Sequence, residues 1–230
     1  MDALQRAGNR VRVIGPRHEQ TAGYMAMGYA KATGRPGVFS VVPGPGVLNA
    51  GAALCTAVAM DAPVLMLTGQ MPSSFLGRGR GHLHELPDQM ATLNSFIKWA
   101  GRAPRAAEAP ALIGEAFRRM PGGRPGPVSV EMCWDTMARR TPVEPVEPVP
   151  LPAPPEPDPE AVAEAATLIA EARRPMITVD SGAQPASAEV QALAEALGAP
   201  VAAFRNGRGV VSADHALGVN MAEAWELWPW

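Results

Sequence analysis

The segment "GVFSVVPGPGVLNAGAALCTAVAMDAPVLMLT", residues 37–68, carries the clearest fold signal in this sequence. Two short apolar runs, Gly37–Val42 and Val64–Thr68, flank a longer, Ala-rich segment, Val47–Met60, that has almost no charge. Short runs that are apolar on both faces are typical of strands in a parallel sheet covered by helices. A strand, a helix and a second strand in this order predict a right-handed crossover unit of an α/β domain.

The same alternation continues on both sides of this segment. The further predicted strands are Arg10–Ile14, Phe96–Gly101 and Pro127–Glu131, and the further predicted helices are Gln20–Ala32 and Glu108–Met120. Residues 1–8 have the pattern of the end of a helix with no strand ahead of it. We therefore predict an α/β domain over residues 1–137, a parallel sheet with helices on both faces, whose first strand is missing.

A change of composition marks the end of this domain. Residues 138–159 contain nine prolines with acidic residues between them, and proline fixes φ and removes backbone donors, so this segment is predicted to be an extended linker. A second α/β pattern over residues 160–230 has the predicted elements Glu160–Ala172, Met176–Val179, Ala186–Leu197 and Pro200–Ala203. Since so few elements form a small core, we expect an incomplete Rossmann-like domain that is cut short after "EAWELWPW".

Composition narrows the class of protein. The net charge of −2 and the pI of about 6.1 give no basic field for nucleic acid or an anionic membrane. The first ten residues lack the apolar core of a signal peptide, and no apolar run approaches the roughly 18 residues of a spanning helix. Cys55 and Cys133 are expected to be buried free thiols in a reducing compartment. We expect a soluble cytoplasmic protein with no nucleic-acid or membrane partner.

Glu19 stands between a predicted strand and a predicted helix, in the cluster Arg17-His18-Glu19-Gln20. One interpretation is local: a carboxylate there complements the helix dipole and bonds the first free N–H groups. The other interpretation is functional, because open α/β folds bind ligands at the carboxyl edge of the sheet. Gly23 and Gly28 within the helix allow another element to pack closely against its backbone.

Two loops offer further candidates. "PGPG" at residues 43–46 matches no phosphate-binding pattern, and its two prolines lack the N–H donors that a phosphate would need. A tight turn that packs against an apolar or aromatic ring is the better interpretation. The loop at residues 68–89 follows a strand and is long enough to be functional. Its Arg78 and Arg80 either bind an anion or are solvated surface charges.

The same loop contains His82, His84 and Glu85. A metal site here would need a third, distant His or Cys ligand, and no such partner stands out, so no metal ligand is predicted. Polar lining of a pocket is the better interpretation of His84.

Taken together, several motifs resemble one family. They are "RHEQ" before a small-residue helix ending in "GYAKATGRPGV", then "GPG" followed by Asn49, then "DAPVLMLTGQMP", then "RPGPVSVEM". In this order they resemble the thiamine-diphosphate-dependent enzymes of the acetolactate synthase, pyruvate oxidase and benzoylformate decarboxylase group. The resemblance covers the N-terminal, pyrimidine-binding domain over about residues 2–135, and "ARRPMITVDSGA" resembles the start of the central domain.

The resemblance implies roles for four residues. It makes Glu19 the catalytic carboxylate that hydrogen-bonds N1′ of the cofactor's aminopyrimidine and so promotes proton removal from the thiazolium C2. A water-poor crevice is expected to raise the proton affinity of this carboxylate. Pro45 is expected to lie against the pyrimidine, Asn49 near it, and His84 toward the reacting side of the thiazolium.

Departures from the family pattern limit what the resemblance implies. Acetolactate synthases usually have F-Q-E where this chain has Leu83-His84-Glu85, so the 2-oxo acid donor and the acceptor stay open. The G-D-G … N-N segment that holds Mg²⁺ and the diphosphate is not present, so the chain is expected to bind the pyrimidine half of thiamine diphosphate. Mg²⁺ and the diphosphate are expected in a C-terminal domain supplied by the second subunit of a homodimer or by another chain. Whether the central domain binds FAD stays open.

Two alternatives remain at this point. The chain is either part of a decarboxylase or carboligase, or a non-catalytic interaction module that kept the fold. An unrelated nucleotide-binding domain would need a Gly-rich phosphate loop and an acidic ribose ligand about 20 residues later, and neither pattern is convincing here.

Overall fold

The computed structural model describes residues 2–147 and 155–221, in two compact units. The first unit is Met1–Ala153 and the second is Pro154–Trp230. The division lies in the Pro-rich segment that the sequence predicts to be a linker. The finer boundaries, at residues 137 and 160, stay predictions.

The first unit contains a four-stranded parallel sheet in the order β1-β2-β4-β3. Its strands are β1 (Gly37–Val41), β2 (Val64–Gln70), β3 (Trp99–Ala103) and β4 (Val128–Cys133). Its helices are α1 (Asp2–Ala7), α2 (Glu19–Thr33), α3 (Pro45–Ala59), α4 (Gln89–Asn94), α5 (Ala109–Arg119) and α6 (Trp134–Met137). The non-sequential order places β2 and β4 in the centre, where both edges of each strand are paired.

Helices cover both faces of this sheet, as predicted. Successive side chains of a strand point to opposite faces. Accordingly Val64 and Met66 of β2 pack in a core with α2 and α3, whereas Leu65 packs in a second core with α5 and β4. The α/β fold class with a parallel sheet is therefore confirmed.

Glycine allows α2 to approach its neighbours closely. A Cβ on Gly23 would lie 2.7 Å from the Cβ of Ala53 in α3, and a Cβ on Gly37 would overlap the backbone of Ala26 in α2. Gly28, by contrast, has no atom within 4 Å of the position of a Cβ. Gly23 therefore has the packing role expected of it, and nothing in the described residues packs against Gly28.

Two strand predictions need correction. Arg10–Ile14 is not a strand: Arg10 ends a 3-10 helix, residues 11–14 are not paired with a strand among the described residues, and Val13 and Ile14 are 51% and 54% exposed. Apolar composition forms no strand where no neighbour supplies the hydrogen bonds. The predicted strand Phe96–Gly101 begins later, at Trp99, because the turn after α4 continues through Ile97, whose N–H donates to the carbonyl oxygen of Leu93.

The second unit contains a three-stranded parallel sheet in the order β5-β6-β7. Its elements are α7 (Pro159–Glu171), β5 (Ile177–Val179), α8 (Ser187–Leu197), β6 (Val201–Ala203) and β7 (Gly218–Asn220). The sequence patterns predict the first four and miss β7, which has only three residues and directly follows a turn. "EAWELWPW" lies outside the described residues.

Both cysteines are free thiols, but their environments differ. Cys133 at the end of β4 is buried, which raises the pKa of its thiol. The expectation that Cys55 is buried is wrong, because it lies on the exposed side of α3. None of the helices in the described part of the chain is long and apolar enough to cross a membrane.

Candidate functional site

The starts of α2 and α3 meet at the carboxyl edge of the first sheet. Each helix runs antiparallel to the strand next to it in the chain, so both N-termini lie at the end where the strands finish. Asn49 Nδ2 of α3 donates a 3.1 Å hydrogen bond to Glu19 Oε2 of α2. Two side chains that stand 30 positions apart in the sequence thus form one polar pair at the place where α/β folds bind ligands.

His18, and not Glu19, caps the start of α2. The Nδ1 atom of His18 accepts a 3.2 Å hydrogen bond from the backbone N–H of Gln20. Glu19 is the first residue of the helix, where its charge complements the helix dipole. The carboxylate of Glu19 accepts from its own N–H and from Asn49, and its remaining acceptor sites are available for a ligand.

In the chain alone, the surroundings of Glu19 lower the proton affinity of its carboxylate, while the raised affinity expected in a water-poor crevice stays a prediction. The pKa of Glu19 is lowered, first by a hydrogen bond from its own backbone N–H, then by the bond from Asn49, with a smaller contribution from His18. Desolvation acts in the opposite direction and is outweighed, since the carboxylate is accessible to water. Glu19 is therefore an ionised acceptor at neutral pH.

Pro45 and Asn49 lie one turn apart on the same exposed side of α3. Pro45 is the first residue of the helix, a position that needs no N–H donor. A spacing of four residues places the pyrrolidine ring and the amide next to each other, and both residues are exposed. The structure therefore presents an apolar ring and a polar pair on one surface.

His84 reaches this edge through its backbone. It has a positive φ of 67°, which is uncommon for a residue with a side chain. A Cβ on Gly44, directly before α3, would lie 2.5 Å from the carbonyl oxygen of His84. The His84 ring is edge-on to that of Trp134, with centroids 6.1 Å apart, and its Nδ1 is buried with no hydrogen-bond partner among the described residues.

The rest of the loop holds itself together. The N–H of His82 donates to Glu85 Oε2 at 2.7 Å, and the His82 ring stacks on Phe75 with centroids 4.6 Å apart. Arg78 and Arg80 are exposed, as expected of solvated charges. Among residues 2–147 and 155–221, no group of three or more His, Cys, Asp or Glu side chains is arranged to hold a metal ion.

One polar cluster at the same edge was missed by sequence reasoning. Gln89 and Glu131 are each only 1% exposed. Gln89 donates a hydrogen bond to Glu131, which also forms an ion pair with Arg102. The available signal was the glutamate within the apolar strand segment "VSVEM", because a charge inside a sheet requires a partner. Nothing in the local pattern indicates that the partner is Gln89, the first residue of α4.

The exposed residues suit an aminopyrimidine ring. Such a ring offers nitrogen atoms and an amino group in one plane with an apolar face. Glu19 supplies a carboxylate, Asn49 an amide that orients it, and Pro45 an apolar surface beside them. The buried Nδ1 of His84 is a further group that lacks a partner within the described part of the chain.

Family models match both units of the chain. The model described as "Thiamine pyrophosphate enzyme, N-terminal TPP binding domain" matches residues 1–92, and the model of the central domain of the same enzymes matches residues 162–226.

Individual relatives agree with the family models. The probable 2-ketoarginine decarboxylase AruI of Pseudomonas aeruginosa is 35% identical over 96% of this chain, and the acetolactate synthase catalytic subunit of Saccharomyces cerevisiae is 34% identical over 79%. The 2-hydroxyacyl-CoA lyase of Oryza sativa is 32% identical over 96%. An X-ray structure of a protein assigned as a thiamin diphosphate-dependent enzyme, from Mycobacterium smegmatis, superposes with a TM-score of 0.75 at 26% identity over 89% of this chain.

The relatives are considerably longer than this chain. The aligned part represents 40% of the Pseudomonas protein, 27% of the yeast protein, 40% of the rice protein and 39% of the mycobacterial one. The names of the three curated relatives describe three different reactions, so similarity alone selects none of them.

Proposed function

Since this chain belongs to the family of thiamine-pyrophosphate-dependent enzymes, we propose that it is the pyrimidine-binding portion of an acetolactate-synthase-like decarboxylase or carboligase. The observation that supports this function most is the hydrogen bond between Glu19 and Asn49, which joins two helix starts at the carboxyl edge of the sheet. The substrate class in this proposal is a small 2-oxo acid.

The chain's own residues have separate tasks in this proposal. Glu19 contacts a ring nitrogen of the aminopyrimidine and is the catalytic residue. Asn49 holds the carboxylate in position from the side of α3, and Pro45 lies against the ring. When bound, the cofactor supplies the electron sink for cleavage of the bond next to a carbonyl group. Contact with the ring would exclude water from Glu19, and this desolvation would raise its pKa from the lowered value of the free chain.

Binding of the cofactor's other half is assigned to a different domain. We propose that Mg²⁺ and the diphosphate are held by a domain supplied by a second copy or another chain, which the greater length of the relatives supports. We also propose that His84, whose backbone packs against Gly44 directly before α3, lies toward the reacting side of the cofactor. FAD is left out of the proposal, because no described residue of the second unit points to it.

A reconstituted complex tests the role of Glu19. The chain is combined with a chain that carries the diphosphate-binding domain, and release of CO₂ from 2-oxo acids is measured with Mg²⁺ and thiamine diphosphate. Glu19→Gln is expected to lower the rate about 100-fold or more, the usual contribution of a positioned proton-transferring group. The matched control is Glu160→Gln, the same change in the first turn of α7. Equal activity of the two variants would contradict the proposed function.

One observation favours a second candidate, a non-catalytic association module. Tyr24, Tyr29 and Leu48 on α2 and α3 are 36%, 48% and 54% exposed, and exposed apolar surface is typical of an interface. This candidate predicts that the chain forms a stable dimer and does not bind the aminopyrimidine. Sedimentation of the chain together with the rate measurement above separates the two candidates.

A further inference from the structure

Gln89 makes hydrogen bonds to three separate parts of the first unit. Its Oε1 accepts a 2.9 Å bond from the backbone N–H of Gly44, directly before α3. Its Nε2 donates at 2.6 Å to Glu131 Oε2 in β4 and at 3.2 Å to the carbonyl oxygen of Gly69 in β2. Both amide hydrogens and the amide oxygen are therefore used inside the protein.

The partners allow only one orientation of this amide. A backbone N–H can only donate, and an ionised carboxylate can only accept. The side chain at position 89 must therefore present an acceptor to Gly44 and a donor to Glu131 at the same time. Neither an ionised glutamate nor an apolar side chain meets both requirements.

The bonds continue to the remaining strand of the sheet. Arg102 of β3 stands opposite Glu131 of β4 in the parallel register, and its Nε forms an ion pair with Glu131 Oε1. Gln89 and Arg102 also line a cavity of about 270 Å³. We call Gln89, Glu131 and Arg102 the buried network; through Gly44 and Gly69 it connects the carboxyl ends of all four strands.

Gly44 connects this network with the surface that carries Pro45 and Asn49. Its φ of 62° and ψ of −111° lie in a region that only glycine adopts readily. There is no space for a side chain, because a Cβ would meet the backbone of His84. The Pro43–Gly44 peptide, which carries the Gly44 N–H, is thus fixed by the Gln89 acceptor and by the His84 backbone, directly before the first residue of α3.

We propose that Gln89 is a positioning residue: it sets the Gly44 peptide, and through it the start of α3, so that Asn49 meets Glu19. This inference deepens the proposed function and rests on it where ligand binding is concerned. The hydrogen-bonding role of Gln89 can also be measured in the absence of any cofactor.

The first experiment observes the Gly44 amide proton by NMR in chains labelled at glycine. Gln89→Met keeps the length of the side chain and removes both the donor and the acceptor. We expect exchange of the Gly44 amide to become about tenfold faster and its proton to shift upfield, since loss of one hydrogen bond is worth roughly that factor. The matched control is Gln191→Met, because Gln191 also donates to a glutamate, Glu195, but on an exposed helix.

A pH series distinguishes this role from general packing. In Gln89→Glu, the introduced carboxyl faces Glu131 and Arg102. The other titratable groups nearby are Asp88, which precedes it in the chain, and His84, whose backbone contacts Gly44. The protonated carboxyl could donate a hydrogen bond to Glu131 in place of the amide, whereas the ionised carboxylate would be repelled by Glu131.

Burial beside a like charge raises the pKa of the introduced carboxyl in the folded state above its unfolded value. A raised folded-state pKa contributes stability below the unfolded pKa and loses it as pH rises. Stability relative to the unaltered chain should therefore fall as pH rises above about 4.3, the ordinary pKa of glutamate. Gln191→Glu, which faces Glu195 on the exposed side of α8, should show a much weaker trend, because water screens the repulsion between the two carboxylates there.

The outcomes separate the inference from the proposed function. An unchanged Gly44 amide in Gln89→Met, or a pH-independent effect of Gln89→Glu, would overturn the positioning role. If Gln89→Met prevents folding, Glu131→Gln takes its place: it keeps an acceptor without the charge and should shift Gly44 in the same direction by less.

The ligand arm uses a hydroxymethyl aminopyrimidine, equivalent to the pyrimidine half of thiamine, as the probe. Gln89→Met should weaken its binding about tenfold, in step with the change at Gly44. If the unaltered chain does not bind the probe while Gly44 responds as expected, the proposed function fails and the positioning of the Gly44 peptide by Gln89 stands.

Discussion

Two polar clusters lie at the same edge of the first sheet and differ in almost every physical respect. The exposed pair consists of Glu19 and Asn49, on the starts of α2 and α3, with a single hydrogen bond between them. The buried network consists of Gln89, Glu131 and Arg102, with several bonds that cross the sheet. One cluster faces water with unused hydrogen-bonding capacity, and the other uses its capacity inside the protein.

This difference separates stability from chemistry. A buried carboxylate needs its partners, because an unpaired charge away from water is costly. An exposed carboxylate can lose its partner at little cost, since water replaces the bond. We therefore expect changes in the buried network to affect folding, and changes in the exposed pair to affect ligand binding and proton affinity.

The largest effect is expected for Glu131→Ala. Removal of this carboxylate takes one of two acceptors from the buried Gln89 amide and the ion-pair partner from Arg102, whose side chain is 31% exposed. Loss of two hydrogen bonds to a buried charged group costs about 3 kcal/mol. The free energy of unfolding is measured by urea titration. Glu115→Ala is the control, because Glu115 pairs with Arg118 and Arg119 at the surface, where water and salt screen the pair and its loss has little effect on stability. Similar losses in the two variants would remove the distinction between buried and exposed clusters.

A smaller loss is expected for Gly44→Ala. The added Cβ would strain a backbone with φ of 62° and collide with the carbonyl of His84, for a cost of about 2 kcal/mol. Gly28→Ala is the matched control, since Gly28 is a helical glycine with open space around it. There the change should stabilise the helix by about 0.5–1 kcal/mol. Thermal unfolding of both variants gives the comparison, and a tolerated alanine at position 44 would contradict the proposed connection between the network and α3.

The smallest effect on stability is expected for Asn49→Ala, which instead changes the titration of Glu19. The pKa of Glu19 in the folded chain is lowered first by its own backbone N–H and then by the amide of Asn49, so removal of that amide should raise it part of the way. A carboxyl with a lowered folded-state pKa contributes stability above its unfolded pKa and loses it as pH falls through the folded value. NMR titration of the Glu19 carboxyl carbon measures the shift. Leu48→Ala, next on the same helix, should leave the titration unchanged, and an equal shift in both variants would exclude a direct effect of Asn49.

The alternation of strands and helices was predictable from sequence because it depends on local composition. α2, α3, α5, β1, β2 and β4 lie close to the predicted segments, since each has a strong apolar period or a clear Gly or Pro boundary. Arg10–Ile14 also contains an apolar run, with two arginines in it, and forms no strand in the described residues. Pairing depends on a neighbouring strand, which a local pattern does not reveal.

The candidate site was predictable only in part, for a similar reason. The candidates Glu19, Pro45, Asn49 and His84 were selected by resemblance, and the structure brings Glu19 and Asn49 into contact. The pKa of Glu19 is lowered in the chain alone, first by the bond from its own N–H and then by the bond from Asn49, and no local pattern reveals the latter. Gln89 was missed because its partners are distant in sequence and no local pattern identifies a buried amide.

The central claim is that Glu19 and Asn49 form the surface that contacts the cofactor's aminopyrimidine. The most direct measurement is an NMR titration of the chain with the hydroxymethyl aminopyrimidine, observing the side-chain amide protons of Asn49. We expect these signals to shift in a saturable manner in the unaltered chain and in Glu160→Gln, and to stay unchanged in Glu19→Gln. Saturable binding that is equal in Glu19→Gln, or that leaves the Asn49 amide unaffected, would contradict the claim.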